Sequence, residues 1–262
     1  MKKWIPSVVI ILLFVSCKSS ASAQQEVLKT EPTQAYKQQM ENLEQAIYFR
    51  GVGNEPEWSL KIAQETIEFT SLKPGFESFK SPHVEPVRAM DANVKGYRVV
   101  TESGRMNIQI MQQECTNAMS GEKFRYKVKL EITKNNTTAT FEGCGNYVTD
   151  PRLHDIWVLE KLNTNSVSVY DFRKELPMLE INSSTNNFIG FAGCNRMNGT
   201  IFFERGLLRF TNIITTRMAC PGNNKEAEFL KALQSATTYQ VENLRLILSN
   251  PSGEKLVFKK VD

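Results

Sequence analysis

The sequence predicts a mainly β, α+β protein made of two small antiparallel β domains, the second carrying one packed helix. Three observations predict it. Apolar and polar residues alternate in short segments along most of the chain, which is typical of strands with one buried and one wet face. Only two segments have apolar residues at helical spacing. Glycine, proline and asparagine recur between the strand segments, where they favour turns.

The composition excludes several classes of protein. The chain has 262 residues, of which 41% are hydrophobic and 23% charged, so disorder, collagen-like repetition and a multi-span membrane protein are excluded. The formal net charge of +4 is too small to predict nucleic-acid binding. With only two histidines, His83 and His154, the chain has little material for a multi-histidine site. We therefore expect no metal and no cofactor.

The N-terminus predicts export and lipid anchoring. Lys2 and Lys3 precede the apolar run Val8–Val15, which is too short to span a membrane and fits an export signal. Phe14-Val15-Ser16-Cys17 resembles the lipobox of bacterial lipoproteins, in which the cysteine receives a diacylglyceryl group. The alternative is ordinary cleavage at Ala21-Ser22-Ala23, which discards Cys17.

These observations predict a signal peptide over residues 1–16, with Cys17 as the lipid attachment site. Residues 17–33 are small and polar, which predicts a flexible tether. The predicted location is the cell envelope, with the chain anchored to a bacterial membrane.

A first β-rich domain is predicted over residues 34–150. It begins with a helix whose apolar face is formed by Tyr36, Met40, Leu43 and Ile47. The clearest strand alternates from Phe124 to Ile132. We interpret the interleaved side chains as a wet face, and the alternative is that the lysines on this face meet an anionic partner. These side chains are Lys123, Arg125, Lys127, Lys129 and Glu131. The other predicted strands are Trp58–Ile62, Thr66–Thr70, Tyr97–Thr101, Arg105–Met111 and Thr138–Glu142.

Asp150-Pro151-Arg152 predicts a boundary, and a second domain follows over residues 153–262. Its helix is predicted from Lys225 to Thr237, capped by Asn223 or Asn224. The predicted helix face consists of Ala227, Leu230, Leu233 and Thr237. The predicted strands are Trp157–Leu159, Met178–Ile181, Phe188–Ala192, Gly199–Phe203, Leu207–Phe210, Leu244–Leu248 and Lys255–Lys259.

Four cysteines remain after Cys17, two in each predicted domain: Cys115, Cys144, Cys194 and Cys220. Export permits disulfides, and three connectivities are possible. Pairing within each domain, Cys115 with Cys144 and Cys194 with Cys220, is the simplest. Free buried thiols are the alternative.

The second domain resembles the META domain, the family of the bacterial heat-inducible lipoprotein HslJ. The resemblance rests on Cys194-Asn195-Arg196, on the run Thr216-Arg217-Met218-Ala219-Cys220 and on Glu228-Phe229-Leu230. It implies a β-sheet with a helix against it. It also implies a link to envelope stress and drug tolerance, without a known reaction.

The first domain is similar to an uncharacterised bacterial envelope domain that often precedes META. The matching residues include Asn54, Glu55, Pro56 and Trp58, then Cys115 and Gly143-Cys144-Gly145. This resemblance implies architecture only. Asn54, Glu55 and Trp58 form a polar and aromatic group, which we interpret as a turn beside a core tryptophan, with a ligand site as the alternative.

Recognisable catalytic motifs do not occur in the sequence, and we expect no enzyme. His83 lies in a Ser-Pro-His segment, where a solvated imidazole is expected, and His154 lies at the domain boundary. Two hypotheses follow. The first is a non-enzymatic envelope lipoprotein that binds and supports another envelope component. The second is a β-module that binds a small molecule or peptide, or inhibits an enzyme.

Overall fold

The computed structural model describes residues 34–90, 93–172, 175–220, 222 and 224–261. The predicted signal peptide, Cys17, the tether and Asn223 lie outside these residues. None of the described helices is long and apolar enough to cross a membrane.

The described residues form strands with two α-helices, α1 (Gln34–Glu44) and α2 (Glu226–Ser235), which confirms the predicted fold class. The strands of the first half are β1 (Ile47–Asn54), β2 (Glu57–Ala63), β3 (Thr66–Ser71), β4 (Ser78–Pro82), β5 (Val87–Arg88), β6 (Val94–Thr101), β7 (Gly104–Met111), β8 (Cys115–Thr116), β9 (Lys123–Phe124), β10 (Tyr126–Lys134) and β11 (Thr137–Tyr147). The strands of the second half are β12 (Asp155–Leu162), β13 (Asn165–Ser166), β14 (Met178–Asn182), β15 (Asn187–Phe191), β16 (Arg196–Glu204), β17 (Leu207–Thr215), β18 (Thr238–Glu242), β19 (Arg245–Asn250) and β20 (Gly253–Val261).

The first sheet is antiparallel, with strand order β4-β3-β2-β1-β11-β10-β7-β6-β5. The alternation predicted for β10 is present: Tyr126, Val128, Leu130 and Ile132 are buried. Because β10 pairs with both β7 and β11, this apolar face lies in the middle of the sheet rather than at an edge. The short pair β8 and β9 forms a separate two-stranded sheet.

The second sheet closes on itself. Its order is β13-β12-β14-β15-β16-β17-β18-β19-β20, and β12 pairs with β20 as well as with β14. Closure leaves β12 with a hydrogen-bonded neighbour on both sides and removes the exposed edge that a flat sheet has. The buried apolar residues of the two sheets form one connected cluster.

The two helices are present, but their predicted faces need correction. On α2 the buried apolar residues are Phe229, Ala232 and Leu233, whereas Ala227 is exposed. The larger Phe229 decides which side of α2 faces the sheet, because it buries more apolar area than alanine. On α1 the helix ends at Glu44, so Ile47 belongs to β1 instead.

Candidate functional site

The second sheet carries a disulfide between Cys194 and Cys220, with a Cα–Cα distance of 6.0 Å. Cys194 is buried and lies between β15 and β16, whereas Cys220 is half-buried in the segment between β17 and α2. Residues 216–220 have no regular secondary structure. The disulfide therefore attaches an irregular segment to the sheet.

Asn195 lies beside this disulfide and holds the same segment. Its side-chain oxygen accepts hydrogen bonds from the Thr216 hydroxyl at 2.9 Å and from the Met218 N–H at 2.7 Å. Its side-chain nitrogen lies 3.2 Å from the Cys220 sulfur. Asn195 is only 6% exposed, so these bonds form in a largely dry environment, where they carry more weight than on the surface.

Glu226 is the acidic residue of this group, and it is the first residue of α2. Its carboxylate accepts hydrogen bonds from the N–H of Asn195 and from the Asn195 side-chain nitrogen, both at 3.1 Å. The second carboxylate oxygen lies 3.0 Å from the Cys220 sulfur. Asn224 accepts the Glu226 N–H at 2.7 Å, so the predicted cap residue binds the start of α2. We call Cys194, Asn195, Thr216, Cys220 and Glu226 the polar cluster.

Three groups in the polar cluster are of metal-ligating type. The Cys194 and Cys220 sulfurs and a Glu226 oxygen lie within 4.8 Å of one another. Because the two sulfurs are bonded to each other, neither is a thiolate, which is the form that binds a metal. In the bonded state the arrangement therefore stabilises structure and offers only one carboxylate to an ion.

The other motif residues of the second domain point outward. Arg196 and Arg217 are exposed, and Met218 is 49% exposed. Arg196 contributes its backbone N–H, which bonds to the Thr216 hydroxyl at 3.1 Å. The structure thus brings Asn195 and Thr216 together and leaves both arginine side chains at the surface.

The first sheet carries the other disulfide, between Cys115 and Cys144, with a Cα–Cα distance of 5.5 Å. Cys144 is buried in the long strand β11, and Cys115 is half-buried in β8. This bond ties the β8–β9 hairpin to a strand that is already paired with β1 and β10.

Trp58, on β2, packs over β1 and β11 in a slot that two glycines make possible. A Cβ at Gly143 would lie 2.7 Å from the Trp58 ring, and a Cβ at Gly53 would lie 2.1 Å from its ring nitrogen and 2.6 Å from the adjoining ring carbon. Real Cβ atoms do not approach carbon this closely, so only glycine admits the indole here. The Trp58 ring N–H donates to the Glu142 carbonyl at 3.2 Å, and the residue is 3% exposed. We call Trp58, Gly53, Gly143, Cys115 and Cys144 the apolar cluster.

Asn54, Glu55 and Pro56 form the turn between β1 and β2, with a cis Glu55–Pro56 peptide. The Asn54 side chain donates to the Asn117 side-chain oxygen at 2.6 Å, which links this turn to the loop after Cys115. Glu55 is exposed. The geometry therefore matches the interpretation of a turn beside a core tryptophan, bordered by a shallow cleft that Asn54, Trp58 and Asn117 line.

A buried polar network that the sequence analysis missed joins the two sheets. The Lys95 ammonium on β6 forms an ion pair with Glu204 on β16, and it donates to the Tyr147 hydroxyl at 2.9 Å. Tyr126 donates to the other Glu204 oxygen at 3.0 Å. Burial lowers the pKa of Lys95, although Glu204 opposes that change, and burial next to Glu204 raises the pKa of Tyr126.

His83 corrects a prediction, because its side chain is only 9% exposed instead of solvated. Its Nε2 lies 2.8 Å from the Tyr48 hydroxyl, and burial lowers its pKa. The Arg205 guanidinium lies 4.7 Å from the centre of the Tyr48 ring and forms two hydrogen bonds with Glu85. His83 therefore belongs to the packing between the sheets.

Of the residues that the sequence analysis missed, Lys95 could have been found from the alternation of its strand, whereas Glu226 could not. Lys95 precedes Tyr97 and Val99 at a spacing of two, so it shares their buried face. Glu226 follows Asn224 at the start of a helix, where an acidic residue is common, and nothing local indicates its burial.

The fold and these clusters define a class of protein: an antiparallel β protein with one disulfide in each of two sheets, the second sheet closed and covered by a helix. Comparison with protein families places a META domain at residues 150–262. A search of curated proteins finds no match.

Two solved structures are similar to part of the chain. One is an NMR structure of a protein from Burkholderia xenovorans, with 27% identity over 41% of this chain and 82% of that chain, at a TM-score of 0.33. The other is an NMR structure with 23% identity over 41% of this chain and 90% of that chain, at a TM-score of 0.34.

Proposed function

We propose that this chain is a non-enzymatic, HslJ-like lipoprotein of the bacterial cell envelope. It is anchored through a lipid on Cys17 and supports tolerance of envelope stress or drugs by binding another envelope component. The observation that carries the proposal is the pair of disulfides, one in each sheet. Disulfides persist in oxidising compartments, which is the environment that the predicted export signal leads to.

The structural role of the buried titratable side chains supports a binding function rather than catalysis. Within the residues that the structure describes, three groups of buried titratable side chains are engaged in structural bonds: Lys95 with Glu204, Glu226 with Asn195, and His83 with Tyr48. A general acid or base needs a free approach to a reacting atom. These three groups instead hold parts of the fold together, so the remaining surfaces are left for recognition.

The anchoring half of the proposal is tested by detergent phase partitioning of the full-length protein and the Cys17→Ala variant. The wild type is expected in the detergent phase and the variant in the aqueous phase, because two or more acyl chains are needed for stable attachment. Equal partitioning of both proteins would rule out the lipid anchor.

The binding half is tested by crosslinking in intact envelopes followed by purification of the chain. A single envelope protein recovered in stoichiometric amount is expected, and recovery should fail when crosslinking follows envelope disruption. If the chain is recovered alone at all crosslinker concentrations, the partner hypothesis is wrong.

A second candidate function is a small-molecule-binding β-module. The observation that favours it is an open, polar cleft of about 740 Å³ that residues of both sheets line. Small-ligand sites commonly have volumes of about 300–1,000 Å³.

A further inference from the structure

The cleft between the two sheets has an unusual charge. Three arginines line it: Arg88 on β5, Arg125 between β9 and β10, and Arg209 on β17. Among the residues that the structure describes, none of these guanidinium groups has a carboxylate within ion-pair distance. A positive charge without a partner is therefore presented to the cleft from both sheets.

Arg125 is the most buried of the three arginines, although the sequence predicts a wet face at its position. Its guanidinium lies 5.9 Å from the centre of the Phe202 ring on β16, so it reaches across from the first sheet to the second. Burial lowers its pKa, and the side chain that opposes this change is the neutral phenol of Tyr126 rather than a carboxylate. A buried cation is costly unless it is paired, which makes an anionic ligand favourable at this point.

Strand register places the other two arginines near Arg125. Phe202 and Arg209 are directly opposite each other in the β16–β17 pair, so their side chains share one face of the sheet. Arg88 is opposite Lys95 in the β5–β6 pair. Lys95 in turn bonds to Glu204, two residues from Phe202 on the same face. Arg88 therefore lies next to Lys95, while Arg125 and Arg209 lie next to Phe202, two residues from Glu204.

The acidic groups of the cleft do not cancel this charge. Glu204 is already engaged by Lys95 and Tyr126, and Glu114 is an exposed side chain with no ion pair in the described part of the chain. The cleft therefore has three arginine side chains and one carboxylate, that of Glu114, without an ion pair among the described residues.

We propose that this inter-sheet cleft binds a small soluble saccharide that carries two phosphate groups, held by Arg88, Arg125 and Arg209. The inference assigns a ligand class to the second candidate function and rests on it. It is independent of the lipid anchor and of any protein partner.

The chemistry of the cleft favours this class. Guanidinium groups bind phosphate through two parallel hydrogen bonds, and arginines contributed by different strands suit more than one phosphate. Gln112, Thr200 and Asn212 also line the cleft. Gln112 accepts a hydrogen bond from Asn93, and Asn212 donates one to Thr200, but the Gln112 amide nitrogen and the Asn212 side-chain oxygen keep hydrogen-bonding capacity for sugar hydroxyls. Phe202 offers an apolar surface to a sugar ring.

The experiment is calorimetric titration of the full-length protein in a polyoxyethylene detergent, with fructose 1,6-bisphosphate as the probe. Fructose and inorganic pyrophosphate are the comparison ligands. We expect binding of the bisphosphate that weakens as salt is added, weaker binding of pyrophosphate, and none of fructose. Absence of bisphosphate binding, or pyrophosphate binding as tightly, would overturn the proposal.

The variants Arg88→Gln, Arg125→Gln and Arg209→Gln are each expected to weaken binding about tenfold, the loss of one charge-assisted hydrogen-bonding group. Arg88 and Arg209 are exposed, so their variants test the cleft even if Arg125→Gln disturbs folding.

Arg98→Gln is the matched control, because Arg98 is exposed on the outer face of β6 and has no ion pair in the described residues. It should bind as the wild type does. Equal affinity of the Arg88, Arg209 and Arg98 variants would overturn the proposal. The envelope crosslinking result does not depend on this titration, so the two failures are distinguishable.

Discussion

The apolar cluster and the polar cluster each contain one disulfide, but the two disulfides attach different kinds of segment to the fold. Cys115–Cys144 ties a short hairpin to a strand with partners on both sides. Cys194–Cys220 holds an irregular segment that otherwise depends on Asn195. Sequence separations of 29 and 26 residues give nearly the same loop entropy, about 3.5 kcal/mol each. Any difference between them must therefore come from their surroundings.

The two clusters also differ in what stabilises them. Around Trp58 the stabilisation comes from close packing, which glycines at two positions permit. Around Asn195 it comes from hydrogen bonds to a buried carboxylate. Packing tolerates the loss of a single polar contact, whereas a buried polar group left without its partner costs about 1–3 kcal/mol.

The largest expected effect is a difference in the free energy of unfolding between the two variants that each lack one disulfide. Replacing Cys194 and Cys220 together by alanine should lower the free energy of unfolding by about 5 kcal/mol, the loop entropy plus the weakened hold on residues 216–220. Replacing Cys115 and Cys144 together should cost about 3.5 kcal/mol. Urea unfolding of the full chain without reductant measures both.

Reduction of the wild type provides the control, since it removes both bonds without changing any side chain. Equal losses in the two double variants would show that the polar cluster adds nothing to the disulfide.

The packing of Trp58 is tested next. Trp58→Ala should destabilise the protein by about 4 kcal/mol, because a large buried ring is replaced by a cavity. Gly143→Ala should cost at least about 2 kcal/mol, because the added methyl group would lie 2.1 Å from the Val52 carbonyl oxygen on β1 and 2.7 Å from the indole. Thermal and urea unfolding measure both variants.

Gly222→Ala is the matched control for the second variant. A Cβ at Gly222 meets no atom within 4 Å, so its stability should stay unchanged. If Gly143→Ala is as stable as Gly222→Ala, the slot is not tight.

Two asparagines offer a direct comparison of the clusters at smaller effect. Asn195→Ala should cost about 2 kcal/mol, because it removes the side-chain hydrogen bonds to one Glu226 oxygen and from the Met218 N–H, and the backbone N–H of residue 195 still serves the other Glu226 oxygen. Asn54→Ala should cost about 0.5 kcal/mol, because its bond to Asn117 lies in a half-buried turn where water replaces it. A larger loss for Asn54→Ala than for Asn195→Ala would contradict the distinction between the clusters.

The smallest expected effect is a pH dependence that belongs to the first sheet. Burial lowers the pKa of His83, while Glu85, with its carboxylate 3.9 Å from the ring, partly opposes this. As pH falls below about 6.5, the unfolded chain takes up a proton that the folded chain refuses, so stability decreases. The decrease between pH 7 and pH 5 should be about 0.5 kcal/mol smaller in His83→Gln. Urea midpoints across this range measure it, and parallel curves for the two proteins would exclude the histidine as the cause.

Prediction from sequence succeeded where the signal is local. The strand around Val128 alternates regularly, and the helix after Asn224 has clear spacing, so both were recognisable. Closure of the second sheet was not, because β12 and β20 are far apart in sequence and neither carries a mark of its partner. The same was true of the site residues: local motifs were recognisable in the sequence, and contacts between distant segments were not.

Pairing of the cysteines within each predicted domain was the simplest of three connectivities, and it is confirmed. The burial of the charged residues was not predicted. Lys95 and Glu204 meet only after both sheets have formed. The spacing of Lys95 with Tyr97 indicates a buried face, but nothing in either segment identifies the other residue as its partner. Phe229 and Ala227 differ by two positions on one helix, and only contact with the sheet decides between their faces.

The pairing of β12 with β20 has a consequence for biosynthesis. One side of β12 has no partner until β20 has been made, roughly 100 residues later. At about 5–20 residues per second, the ribosome needs on the order of 5–20 s for that stretch. The second sheet therefore stays open along one side of β12 while the strands β14 to β19 are made, and its closure is a late step in the folding of this half of the chain.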